Sequence, residues 1–527
     1  MKKTDSLLRS TSLFSLATLI SRVLGVARDS SIAACLPRVW QDIFWAGIKI
    51  PSTFRQLFAE GSLSAAFIPL LSGVIEKEGE DKARETAHAI FNLLALVVSV
   101  VILAAILLAP WIVPYILAFP SEKTADCVIA DWRVGAGVQV TQIMFPFLFF
   151  VALAAWAMGV LNTHRRFFMP AVASSFFNVC VVAGAVTGAA VFHLADMPMM
   201  WYMGGAVIFG GFLQFAVQLP QARQLRYFPP KAVSPFHPKV KIFLRMLAPT
   251  VFGLAIYQIN ALITQTYFAS KFGEGGISIT QYAFRLIQFP LGIIGVALAT
   301  ASFPQIAQQI AQEKHAQAAR TLTEVMKYLL LLMIPAAVGL IALGRDINGV
   351  IYDHGEFHKS AWLEPTVQVL NFYCLGLFFY AVVQALVRTS QAHRDFRTPV
   401  YSGAAGVIVN IALCKIFVDE GMPLWSLALA SSIASGVNSL YLLISLRRRM
   451  EHFLILPLAA YALRVLLASA LMGLACALFA AYFPIAGGTF ARFTIRVVLG
   501  IGLGLGVYGL CGWFLFRDEL KRLLKMQ

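Results

Sequence analysis

Long apolar runs, each broken by a short polar or charged segment, recur along the whole chain. A helix rises 1.5 Å per residue, so about 20 apolar residues cross the hydrocarbon core of a bilayer. The pattern predicts fourteen spans, at 8–35, 40–72, 86–118, 134–162, 168–194, 199–222, 242–270, 278–311, 322–344, 363–390, 399–418, 424–446, 457–484 and 493–516. A membrane β-barrel needs short strands of alternating polarity. The run LLALVVSVVILAAILLAPWIV at Leu93–Val113 does not alternate. The expected fold class is therefore an all-α polytopic membrane protein.

Composition agrees. Of 527 residues, 59% are hydrophobic and 13% are charged, where a soluble chain carries about 25% charged residues. The net charge of +16 would suggest nucleic acid in a soluble protein. Here a cytoplasmic excess of Lys and Arg explains most of it. Loops on one side of the predicted spans hold 24 Lys and Arg, against 7 on the other. That bias and the even span count put both termini in the cytoplasm, with no nucleic-acid partner expected. The N-terminus opens on Lys2 and Lys3 before an apolar stretch, like a signal peptide. Arg22, Arg28 and Asp29 interrupt that stretch, which is also too long for one, so no cleavage is expected.

The seven cysteines are scattered and mostly inside apolar runs, without metal-ligand spacing. No Walker A loop and no HExxH motif occurs. No nucleophile and base pair stands out, so a transporter is expected rather than an enzyme, without cofactor or metal. The source of energy, whether membrane potential or an ion, is not legible.

An internal repeat is. His164-Arg165-Arg166-Phe167-Phe168-Met169-Pro170 returns as His393-Arg394-Asp395-Phe396-Arg397-Thr398-Pro399, 229 residues later. Ala66-Phe67-Ile68-Pro69 is echoed by Ser302-Phe303-Pro304, and Ala83-Arg84 by Ala319-Arg320, at offsets of about 236, which also set Lys49 on Arg285. This predicts an N-terminal lobe at 1–230 (spans one to six), a C-terminal lobe at 231–455 (spans seven to twelve) and a final helix pair at 456–527. Six-span repeats do not invert, so a pseudo-twofold along the membrane normal is expected, with a site between the lobes.

The candidate chemistry lies in Ser21–Glu60, where Arg22, Arg28, Asp29, Asp42, Lys49, Arg55 and Glu60 interrupt apolar sequence. A charge at the bilayer centre costs about 2.5–3.5 kcal/mol on insertion scales, so these side chains must avoid lipid. At 100° per residue, Arg22 and Asp29 share a helix face, as do Asp42, Lys49 and Glu60. One reading is a set of buried ion pairs joining two helices. The favoured one is a polar cavity wall. Arg22, Arg28, Lys49, Arg55 and Arg285 outnumber Asp29, Asp42 and Glu60, and the surplus calls for an anion. Arginine matches phosphate oxygens in a two-pronged fork and keeps its charge.

Taken together, SRVLGVARD at Ser21–Asp29, the stretch from Lys49-Ile50-Pro51 to Phe58-Ala59-Glu60-Gly61, and Arg285 followed by FPLGIIGVALAT resemble the MurJ/MviN lipid II flippase family. LNTHRRFFMP and the QLP at Gln218–Pro220 fit as well. The family belongs to the multidrug/oligosaccharidyl-lipid/polysaccharide exporter superfamily. The resemblance implies fourteen helices, in two six-helix lobes plus a last pair forming a groove for the lipid tail. It also implies an inner-membrane protein moving an undecaprenyl-pyrophosphate-linked peptidoglycan precursor outward by alternating access. Arg22, Arg28, Arg55 and Arg285 would be its substrate-binding arginines, and Asp29, Asp42, Lys49 and Glu60 its other cavity charges. Phe284 and Gln288 depart from the family pattern, standing where acids would flank the arginine. The precursor, the bilayer and cell-wall synthesis proteins are the candidate partners. Two alternatives stay open: export of another lipid-linked oligosaccharide or a drug, and a non-transporting scaffold for cell-wall synthesis.

Overall fold

The computed structural model describes residues 20–58, 62–119, 122–124, 127–129, 132–234, 237–450, 455–482 and 489–516. They form α1 over 20–35, then α2 (Arg38–Phe58), α3 (Ser62–Glu78), α4 (Glu80–Ile116), α5 (Trp132–Met144), α6 (Phe147–Thr163), α7 (Phe168–Ala190), α8 (Asp196–Ala216), α9 (Leu219–Gln224) and α10 (Pro238–Leu262). A π-helical turn, Ile263–Phe268, extends α10. There follow α11 (Gly276–Pro290), a second π-helical turn (Leu291–Gly295), α12 (Val296–Ala311), α13 (His315–Ile351), α14 (Gly355–Lys359), α15 (Leu363–Ala392), α16 (Arg397–Asp419), α17 (Trp425–Arg449), α18 (Ile455–Tyr482) and α19 (Thr489–Leu515). The exception to helix is a small hairpin, β1 (Glu122–Thr124) antiparallel to β2 (Cys127–Ile129), with Glu122 opposite Ile129.

Among the described residues, eleven helices are long and apolar enough to cross a membrane, or twelve when the bent pair Pro238–Pro249 and Gly253–Phe268 counts as one span. These twelve correspond to the third through fourteenth predicted spans. The first two predicted spans, 8–35 and 40–72, are described in part, since residues 8–19 and 59–61 lie outside the described set. The protein is an all-α polytopic membrane protein, as its hydropathy pattern requires.

The repeat reappears in the element limits. Helix α4 and helix α13 both have 37 residues, with starts 235 apart. Helices α7 and α16 both have 23 residues, displaced by 229, and α8 and α17 begin at the same displacement. The two echoed turns adopt one backbone form. Arg165 and Arg394 each have φ of 58°. Arg166 N–H donates to Leu161 O at 2.9 Å, and Asp395 N–H to Ser390 O at 3.0 Å. A left-handed residue followed by this six-to-one bond is the Schellman way of ending a helix.

Chain packing divides the molecule into two compact units, Met1–Ser278 and Ile279–Gln527. In the first, α10 packs on α2 and α3, so this unit reaches past the repeat boundary near residue 230. Buried Trp156 ties α6 to α4, donating its indole N–H to Ala87 O at 2.9 Å. In the second unit, α15 lies close against α17. A Cβ on Gly376 would stand 2.8 Å from Ser432 Cα, and Ser432 Oγ donates to Phe372 O at 2.7 Å. Helices α18 and α19 pair with each other and lie on α13, where Tyr508 donates to Leu331 O at 2.7 Å.

Candidate functional site

Helix α1 carries Arg22, Arg28 and Asp29. Adjacent residues on a helix diverge by about 100°, yet Arg28 turns back onto its neighbour. Its Nε and Nη2 donate to Asp29 Oδ1 at 2.8 and 2.6 Å. Nη1 donates to Asn178 Oδ1, on α7, at 3.2 Å. The guanidinium also stands 6.0 Å from the Trp45 ring and 5.9 Å from that of Phe177. Asp29 is fully buried, whereas the Arg28 side chain keeps 14% of its surface exposed. The burial of this acid is sustained by a charge-assisted pair, because an isolated carboxylate would be expelled from such surroundings.

Helix α7 holds α1 through a short polar ladder. Ser21 and Ser174 hydroxyls meet at 2.8 Å, and the Asn178 amide donates to Ser21 O at 3.2 Å. Asn178 was not singled out from the sequence. The available signal was Ser174 and Asn178, four apart on one face of an apolar run, the spacing at which polar side chains join membrane helices.

Helix α2 carries Asp42, Lys49 and Arg55. Lys49 Nζ donates to Gln265 Oε1 in the first π-helical turn, at 2.6 Å. Asp42 is buried and accepts from Gly275 N–H at 2.6 Å, Ser278 N–H at 2.8 Å and Ser278 Oγ–H at 2.6 Å. It satisfies donors at the start of α11 that no intrahelical carbonyl can reach. The charges predicted to form one stripe therefore diverge in role: Lys49 meets a side-chain amide, and Asp42 meets backbone and hydroxyl donors. Gln265, Gly275 and Ser278 lie more than two hundred residues from their partners, and no local pattern marks them. Arg22 and Arg55 are half-buried on α1 and α2. Glu60 lies outside the described residues.

Arg285 lies on α11, half-buried, and donates from Nη1 to Gln288 Oε1 at 3.2 Å. Gln288 thus gives Arg285 a neutral acceptor. The Phe284 ring instead packs on Tyr373, centroids 5.4 Å apart. No group of three or more His, Cys, Asp or Glu among the described residues could hold a metal ion.

A half-buried arginine among apolar helices, such as Arg22, Arg28 or Arg55 in the first unit or Arg285 in the second, can bind an anionic group through charge-assisted hydrogen bonds. Comparison with known proteins shows the family. The family model described as lipid II flippase MurJ matches residues 38–498. A probable lipid II flippase MurJ from Rhizobium tropici is 32% identical over 460 residues, covering 87% of this chain and 84% of that protein. The lipid II flippase MurJ of Burkholderia cenocepacia is 31% identical over 437 residues, 82% of each chain. Among solved structures, lipid II flippase MurJ in an inward closed conformation aligns with a TM-score of 0.78 at 26% identity, over 96% of this chain and 99% of that one. An inward-facing multidrug resistance transporter of the MATE family, 12% identical, shares the fold with a TM-score of 0.71 over 82% of this chain and 95% of its own. On the match across most of its length, the chain belongs to the lipid II flippase MurJ family.

Proposed function

We propose that this protein is a flippase of the bacterial inner membrane, carrying a lipid-linked peptidoglycan precursor from the cytoplasmic to the outer leaflet. Family membership supports the cargo. The observation that carries the reading is Arg28: a guanidinium held inside apolar helices by Asp29 and Asn178, with part of its surface still exposed. Arg22, Arg28, Arg55 and Arg285 would take the pyrophosphate, whose oxygens accept charge-assisted bonds worth about 1.5–3 kcal/mol each. The two lobes would open alternately to each side. The lipid tail would stay in the bilayer along α18 and α19. The chain would act as a transporter without chemistry on its cargo, with both termini in the cytoplasm.

The test is the outside accessibility of the precursor in cells depleted of the protein. The proposal expects precursor to accumulate on the cytoplasmic side and to become accessible again on re-expression. An unchanged distribution would favour a scaffold. Accumulation of an unrelated lipid-linked oligosaccharide in its place would reassign the cargo.

A further inference from the structure

A cleft of about 570 Å³ opens where the first turns of α2, α5 and α8 meet, lined by Trp40, Trp132, Gly135, Gln139, Asp196 and Met197. It lies in the first compact unit, on the side that the loop charges assign to the outside. Its wall is built and not merely exposed. The Trp40 indole is buried and donates to Asp196 Oδ1 at 2.6 Å. Its ring meets that of Trp132 at 5.4 Å, inclined by 56°. Trp132 itself is 57% exposed, so a broad indole face remains open beside a carboxylate and a carboxamide. Asp196 is held at the start of α8 with φ of 53°.

An exposed tryptophan near a membrane surface can be an interfacial anchor. That role explains an indole, but not Asp196 and Gln139, which line the same cleft. The lining has no Lys or Arg, which sets it against phosphate. A flat apolar face beside hydrogen-bonding groups of both kinds suits a neutral ring with one C–H face and a hydroxyl rim. We propose that this cleft binds a pyranose ring, as a subsite for the glycan part of the cargo on the outer side. Only the biological source of that sugar rests on the flippase reading; the binding itself does not.

The experiment uses the full-length protein in lipid nanodiscs and the methyl glycoside of N-acetylglucosamine as probe, read by saturation-transfer NMR. Saturation of the pyranose ring protons is expected. Trp132→Ala should weaken binding by at least about tenfold, Trp132→Phe should keep part of it, and Asp196→Asn should weaken it with helicity unchanged. Absence of saturation, or equal saturation in wild type and Trp132→Ala, would overturn the proposal. So would displacement of the sugar by n-butylammonium at lower concentration, which would make the cleft a cation site. Arg28→Ala should leave glycoside binding intact. If it does while precursor accumulation fails to appear in depleted cells, the flippase reading falls and the sugar site stands. Normal flipping without glycoside binding is the converse.

Discussion

At the scale of single residues, Arg28 is shared between a fully buried acid and a neutral amide. Losing Asn178 removes one bond to a charged donor, worth about 1.5–3 kcal/mol, and loosens the hold on the guanidinium. Asn178→Ala should therefore reduce precursor binding about tenfold at normal membrane abundance. Arg28→Ala should abolish it, and Arg28→Lys should fall between wild type and alanine, since lysine keeps the charge and loses the fork. Titrating purified variants with precursor checks the order. Recovery of flipping in an Arg28→Ala, Asp29→Asn double variant would show that the arginine serves only its acid. Asp42 is a different case, with three donors from the start of α11. Asp42→Ala would strand two backbone N–H groups, at about 1–3 kcal/mol each. A clear fall in thermal stability is expected, with a smaller one for Asp42→Asn, which retains an acceptor oxygen. Equal stability in all three forms would contradict this account.

At the scale of elements, the two Schellman turns are copies in backbone but not in side-chain chemistry. In the first unit, His164 faces Glu80 at 3.2 Å, and Tyr227 donates to the other Glu80 oxygen at 2.9 Å. In the second, the residue 235 positions beyond Glu80 is His315, and its ring stacks on His393 with centroids 6.1 Å apart and planes inclined by 9°. Burial, and then the neighbouring His315 and Arg449, hold His393 below its ordinary value of 6.5, with Asp395 opposing them. Asp395 itself is paired with Arg449 at 2.9 Å. The folded state thus binds a proton at His393 less readily than the unfolded chain does. Stability should be fully present above about pH 6.5 and decline as the pH falls below it, until the lowered folded value is passed. Thermal unfolding of the purified protein over that range reads the slope, and His393→Gln should flatten it. A slope unchanged in the variant would place the titration elsewhere.

At the scale of the whole molecule, the asymmetry of 24 to 7 in loop cations sets the expected orientation. Single cysteines placed in the 119–133 and 345–362 loops should react with an impermeant thiol reagent in intact cells. A cysteine in the 223–241 loop should react only after the membrane is opened. Labelling of all three loops from outside would refute both the orientation and the outward placement of the Trp40 and Trp132 cleft.

The span pattern, the fold class and the family motifs were legible in the sequence because bilayer insertion reads local hydropathy, and a helix satisfies its own backbone. The repeat was legible too, since a Schellman turn is specified by a few neighbouring residues, and those at His164 and His393 survive in both copies. Partnership was not. Helical spacing placed Asp42 and Lys49 on one face, but a face does not name what it meets. The packing of α10 and the start of α11 against α2 gave Asp42 the backbone of Gly275 and Ser278, and gave Lys49 the amide of Gln265. Asn178 came to Arg28 because α7 lies along α1. In a low-dielectric interior each buried charge must find a donor or acceptor, and which one it finds is decided by helices distant in sequence being brought side by side.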